Sequence, residues 1–279
     1  MPAAALLVSS GLALAISPFV LRGFTARGWT RLNHRGALVA HPAGVAVLAT
    51  AASSALALGA LELATGAALL EREMVIATSL VTGVALLGLA DDLLGDRIAG
   101  GPRGIRAHVR ALARGRASTG FWKAAGTTAM AVGGLALLGF TGPELALAAA
   151  VVVLAAHAFN LLDVRPGRSI KTLLALGAVL TLGSLALEPL ATLGLVLGPI
   201  AVLLVPDLRE RAMLGDTGAG AVGTVGGLWI VLTLPVFGQA VALAALVAVA
   251  VYGEVRSITG LVRRTPLLRQ LDSLGRNHA

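Results

Sequence analysis

The chain repeats apolar stretches of membrane-spanning length, and this repetition restricts its fold more than any single motif. Nine such stretches run approximately over residues 3–21, 44–62, 73–90, 120–140, 143–159, 171–187, 189–206, 218–235 and 238–253. A helix needs about 20 mostly apolar residues to cross a bilayer, and within hydrocarbon its backbone must bond to itself. Charged residues make up only 13% of the chain and the mean hydropathy is +0.87. A soluble domain carries roughly 25% charged residues, so this chain cannot cover a water-facing surface. The sequence predicts an all-α polytopic membrane protein with about nine transmembrane helices. Residues 1–279 form a single integral membrane domain, and its last part, 254–279, is a basic amphipathic tail.

The first stretch has no basic segment before it, and Arg22, Arg27, Arg31 and Arg35 follow it. It therefore reads as a retained span rather than a cleaved signal. Alternating the sides of the nine stretches sorts the charges: every Lys and Arg except Arg72 falls on one side, together with every Asp. Basic residues in short loops mark the cytoplasmic side. The expected topology thus has the N-terminus outside, the tail inside and the chemistry on the cytoplasmic face of the cell membrane. Orientation accounts for the net charge of +8, so no nucleic-acid partner is needed.

The chain has no cysteine, which excludes disulfides, thiolate metal sites and thiol nucleophiles. It has no G-x-S-x-G, H-E-x-x-H or Walker-type loop, and its histidines are scattered. Ionisable residues are nearly absent from the span interiors, which disfavours a transporter.

Three segments could carry chemistry. Asp91 and Asp92, with Asp96 a turn further on, close the third stretch at the membrane boundary. Clustered carboxylates suit a hard cation such as Mg2+ or Mn2+ shared with substrate phosphates. Asp216 opens the eighth stretch within Leu214-Gly215-Asp216-Thr217-Gly218, where it reads both as a helix cap and as a metal ligand. The loop after the fifth stretch contains Asn160, Asp163, Arg165, Arg168 and Lys171 around Pro166-Gly167, a cup for phosphate oxygens or a set of membrane anchors. Arg103, Arg106 and His108, followed by Lys123, add cations in the loop after the third stretch. They suit a pyrophosphate or anionic lipid headgroups. The tail mixes leucines with arginines around Pro266 and reads as an interfacial anchor.

Taken in order, Asp91-Asp92, Asn160-Leu161-Leu162-Asp163 and Gly215-Asp216-Thr217-Gly218 resemble the motifs of the polyprenyl-phosphate N-acetylhexosamine-1-phosphate transferases. That family includes phospho-N-acetylmuramoyl-pentapeptide translocase. Asn33-His34-Arg35-Gly36 and His41-Pro42-Ala43-Gly44 are loosely similar to its first cytoplasmic loop. The resemblance implies attack by a membrane polyprenyl phosphate on the sugar-proximal phosphate of a UDP-sugar, releasing UMP, in cell-envelope glycan synthesis. It implies Asp216 and Asp92 as metal ligands and Asp91, Asp92 and Asp216 as the catalytic carboxylates. Asn160 and Asp163 would lie near the nucleotide. A homodimer is a further expectation, and small-residue helix faces leave room for one.

The chain departs from the family pattern at Pro166, where a second nucleotide-side carboxylate is usual. It departs again at Leu267-Leu268-Arg269-Gln270, where the family has a histidine cluster. These departures leave an alternative open: a non-catalytic relative that binds lipid or assists assembly in envelope synthesis.

Overall fold

The computed structural model describes residues 3–95 and 118–276. Its long helices are α1 (Ala3–Ala26), α2 (Gly44–Thr65), α3 (Arg72–Leu94), α4 (Thr119–Leu137), α5 (Gly142–Leu162) and α6 (Arg168–Ser184). After these come α7 (Glu188–Thr192), α8 (Gly194–Leu208), α9 (Gly215–Thr233), α10 (Val236–Val255), α11 (Ile258–Arg264) and α12 (Pro266–Ser273). All nine predicted stretches fall on helices, the seventh being divided into α7 and α8. Among the described residues five helices, α1, α2, α3, α5 and α10, are long and apolar enough to cross a membrane. The protein is therefore an all-α, multi-pass type of chain. The remaining stretches are shorter, as in α6 and α8, or diluted by Gly and Thr, as in α4 and α9.

Local signals set the helix ends. Gly66 closes α2 in the left-handed region at φ 70°, its N–H donating to the Glu62 carbonyl at 2.8 Å. The Ser118 hydroxyl accepts from the Phe121 N–H at 3.2 Å and caps α4. Pro235 precedes α10 and Pro266 opens α12, positions that need no N–H.

Helix α9 is the centre of the bundle. Its residues from Thr217 to Val231 are all buried, and it packs against α3, α5, α6 and α2. Glycine permits this crowding. A Cβ added at Gly223 would lie 2.6 Å from the Ala156 Cα, and one at Gly227 would lie 2.7 Å from the Val152 Cα. Backbones in contact gain dispersion energy that lipid cannot match, which favours small residues on such faces. The outer helices instead expose Leu7, Phe19, Leu56, Leu182 and Phe237, as suits surfaces solvated by hydrocarbon.

One irregular element breaks the helical pattern. Strands β1 (Thr30–Leu32) and β2 (Leu38–Ala40) form an antiparallel hairpin between α1 and α2. In the sequence this region reads as a basic loop that contains Asn33-His34-Arg35-Gly36 and His41-Pro42-Ala43-Gly44, without a strand pattern.

Candidate functional site

The hairpin positions the start of α9. The Ala40 N–H donates to the Arg211 carbonyl at 3.2 Å, and the Met213 N–H donates back to the Ala40 carbonyl at 2.9 Å. The Ala43 and Gly44 N–H groups then donate to the carbonyls of Met213 and Leu214 at 2.8 and 3.0 Å. Residues 211–214 are thus held by backbone hydrogen bonds and a single bridge from Ala40 to Ala212, which deliver Gly215 to the helix. Asn33 fixes the hairpin turn: its Oδ1 accepts from the Arg35 and Ala37 N–H groups, each at 2.9 Å. Its amide donates to Glu210 Oε2 at 2.8 Å, tying the turn to the chain after α8.

Asp92, at the end of α3, meets this helix start. Its Oδ1 accepts from the Asp216 N–H at 2.9 Å, and its Oδ2 accepts from the Thr217 N–H at 2.9 Å and the Thr217 hydroxyl at 2.6 Å. His41 Nε2 stands 3.5 Å from Oδ1, and the Asp92 side chain is only 3% exposed. The first backbone N–H groups of a helix lack internal partners and carry the positive end of its dipole. Asp92 satisfies both from a helix more than a hundred residues away. The resemblance implies Asp92 as a metal ligand; in the structure both of its oxygens accept hydrogen bonds at the α9 cap.

Gly215 is required at this junction. It has φ +70°, and an added Cβ would lie 2.7 Å from Asp92 Oδ2 and 2.9 Å from His41 Nε2. Left-handed backbone costs an alanine roughly 1–2 kcal/mol, and the clash would also displace the cap. Gly215→Ala is therefore expected to lower the thermal unfolding midpoint clearly, whereas Gly133→Ala, with open space around its Cβ, should leave it unchanged.

Asp91 and Asp216 lie beside the cap. Lys123, near the start of α4, donates from Nζ to Asp216 Oδ2 at 2.6 Å and stands 3.7 Å from Asp91 Oδ2. Both carboxylates stand within 4 Å of this one nitrogen. Three helices thus bring two carboxylates and one ammonium together at one end of the bundle. Among the described residues no group of three or more His, Cys, Asp or Glu side chains could hold a metal. Mg2+ often takes only one or two carboxylates and completes its shell with water and substrate phosphates. The Asp91–Asp216 pair, already bridged by a cationic nitrogen, fits that requirement.

The loop after α5 is arranged differently from its sequence reading. Asn160 lies half-buried in the last turn of α5. Asp163 follows the helix and lines a small pocket of ≈ 60 Å³ together with Asn33, His34, Arg165 and Glu210. Burial, then the charges of Asp207, Asp216 and Asp92, push the Asp163 carboxyl well above its ordinary value. A raised carboxyl favours the folded state below its unfolded value of about 3.9 and destabilises it progressively as pH rises toward the folded value. Asp163→Asn should therefore raise the unfolding midpoint at pH 8 and flatten its fall between pH 4 and 8, followed by a thermal melt across that range.

Arg168 and Lys171 hold the tail. Arg168, 5% exposed, donates to both Asp272 oxygens at 2.7 and 3.0 Å and to the Thr259 hydroxyl at 3.1 Å. Lys171 donates to the carbonyls of Leu271, Asp272 and Leu274, which close α12. Arg276 donates to Asp272 at 2.7 Å and to the Pro166 carbonyl at 2.9 Å. Burial raises the Asp272 carboxyl, but the hydrogen bonds from Arg168 and Arg276 outweigh it and hold it below its ordinary value. Arg103, Arg106 and His108, expected to bind phosphate, lie outside the described residues.

His41, Gly215 and Thr217 stand inside the quoted motifs, but the sequence does not show that all three meet Asp92. His41 stands apart from the other histidines along the chain. Its partner is a carboxylate on another helix, which spacing along the chain does not reveal. No protein-family model matches the chain, and no curated protein matches it.

Proposed function

We propose that the chain is a metal-dependent phosphoglycosyl transferase of the cell membrane. It moves a sugar-1-phosphate from a nucleotide sugar, a UDP-sugar, to polyprenyl phosphate at the cytoplasmic face, for cell-envelope glycan synthesis. The observation that carries this reading is the meeting of Asp91 and Asp216, from α3 and α9, around one cationic nitrogen, Lys123 Nζ. In the reaction an oxygen of the lipid phosphate bonds to the sugar-proximal phosphorus as that phosphorus parts from UMP. Phosphoryl transfer of this kind depends mainly on positioning and on neutralising charge. Asp91 and Asp216 would hold Mg2+ or Mn2+, which would supply neutralisation of the pyrophosphate charge. Lys123 turns from the carboxylates to a phosphate oxygen. Asp92 acts by positioning, keeping the α9 start in place beneath the pair. Asn160, Asp163 and Arg165 border the donor side.

The engagement of Arg168 and Lys171 with the tail and the absence of a carboxylate at position 166 favour a second reading, a non-catalytic lipid-binding or assembly partner. Transfer of label from a panel of UDP-sugars into butanol-extractable lipid, with Mg2+ and undecaprenyl phosphate, separates the two. Product from the natural chain and none from Asp216→Asn supports the transferase. No product from any donor, with no Mg2+ response that depends on Asp216, supports the second reading.

A further inference from the structure

A cavity of ≈ 670 Å³ with a mostly apolar lining lies between α6, α10 and the tail. Its wall is made by Leu162, Ala175, Ala248, Val249, Leu261 and Leu268, and none of the residues around Asp91 and Asp216 belongs to it. Its size lies within the range of roughly 300–1,000 Å³ common for ligand sites.

The tail roofs this space without filling it. Polar pins attach it at one end, through Arg168, Lys171 and Arg276 to Asp272 and the end of α12. Neither α11 nor α12 has a buried residue, so their leucines cover the cavity rather than pack into the bundle. In a membrane setting, the apolar material available to fill a space open between two apolar helices is a lipid chain. Cations on the tail, next in sequence to residues that line the cavity, select the lipid. Arg165 lies within electrostatic reach of Arg263, Arg168 and Arg276, with Asp272 as the opposing charge. Arg263, Arg264 and Arg269 stand exposed on the tail helices, with no hydrogen-bond or ion-pair partner among the described residues. Cations at a membrane surface attract anionic headgroups at about 1 kcal/mol each.

We propose that this cavity holds one anionic phospholipid of the surrounding leaflet, its chain beneath the tail between α6 and α10 and its phosphate against the arginines of α11. The site requires the membrane setting only and does not depend on transferase activity. The test is native mass spectrometry of the full-length protein, released from nanodiscs that contain phosphatidylglycerol and phosphatidylcholine in equal amounts. One phosphatidylglycerol should be retained, and Arg263→Gln should reduce its preference about fivefold. Ala248→Trp, which fills the cavity from an exposed position, should abolish retention while leaving helicity unchanged. Ala175→Phe offers the same block from α6 should the tryptophan variant fail to fold. Equal retention of the two phospholipids, unchanged retention in both filled variants, or replacement of phosphatidylglycerol by added undecaprenyl phosphate at equal concentration would overturn the proposal.

Discussion

Asp92→Ala is expected to lose about 3 kcal/mol or more of stability, the largest structural effect of any single change at the site. The substitution strands three donors at once: the N–H groups of Asp216 and Thr217 and the Thr217 hydroxyl. Each buried donor left without an acceptor costs about 1–3 kcal/mol, and the α9 N-terminus also loses a favourable charge. Against a total stability of about 5–15 kcal/mol, this loosens the helix on which the other helices pack. Two controls separate capping from bulk. Thr217→Val removes one of the three bonds and should cost about 1 kcal/mol. Asp92→Asn keeps one acceptor but turns an amide toward a backbone N–H, so it should fall between the other two. Thermal unfolding in mild detergent without Mg2+ reads all three, and an Asp92→Ala midpoint equal to that of the natural chain would remove the capping role.

The helices and the carboxylates differ in how far the sequence reveals them. Apolar length is a local property, and each predicted stretch is a helix because its own residues favour one in hydrocarbon. How many cross is less local, since α9 is too rich in Gly and Thr to qualify by hydropathy and yet is the most enclosed helix. Its burial depends chiefly on α3, α5, α6 and α2, and the glycines of its sequence show only that something approaches closely. The acidic pair at 91 and 92 was visible as a pair, but not its division of labour. Adjacent helical residues point about 100° apart, so Asp92 turns to the α9 cap while Asp91 turns to Lys123. Arg168 and Lys171 were visible as cations without their partners. Asp272 and the closing carbonyls of α12 lie about a hundred residues on, and no pattern within the loop specifies them. The hairpin at 30–40 depends on the Asn33 turn and on pairing with residues 211–214, a contact just as remote.

Lys123→Met should convert the site into one that needs a divalent cation for stability. Lys123 supplies the one ammonium within 4 Å of both Asp91 and Asp216 among the described residues. Without it, the two neighbouring carboxylates repel, by about 4 kcal/mol at a separation of about 4 Å and an effective dielectric of about 20. A bound Mg2+ relieves that repulsion and no longer competes with a resident ammonium, so its affinity should rise at least about tenfold for every 1.4 kcal/mol recovered. Ligand that binds only the folded state stabilises it in proportion to the logarithm of its saturation. Millimolar Mg2+ should therefore raise the unfolding midpoint of Lys123→Met by several degrees more than that of the natural chain, and Ca2+, which is larger, should do so less effectively. The added response should vanish in Lys123→Met combined with Asp216→Asn, because one carboxylate then remains. Under the transferase reading the same Lys123→Met protein binds metal more tightly yet transfers sugar phosphate more slowly, since the lysine that moves to the phosphate is gone. Tighter Mg2+ binding with unchanged transfer would leave the lysine a purely structural counter-charge, and an equal Mg2+ response in Lys123→Met and the natural chain would exclude the Asp91–Asp216 pair as the cation site.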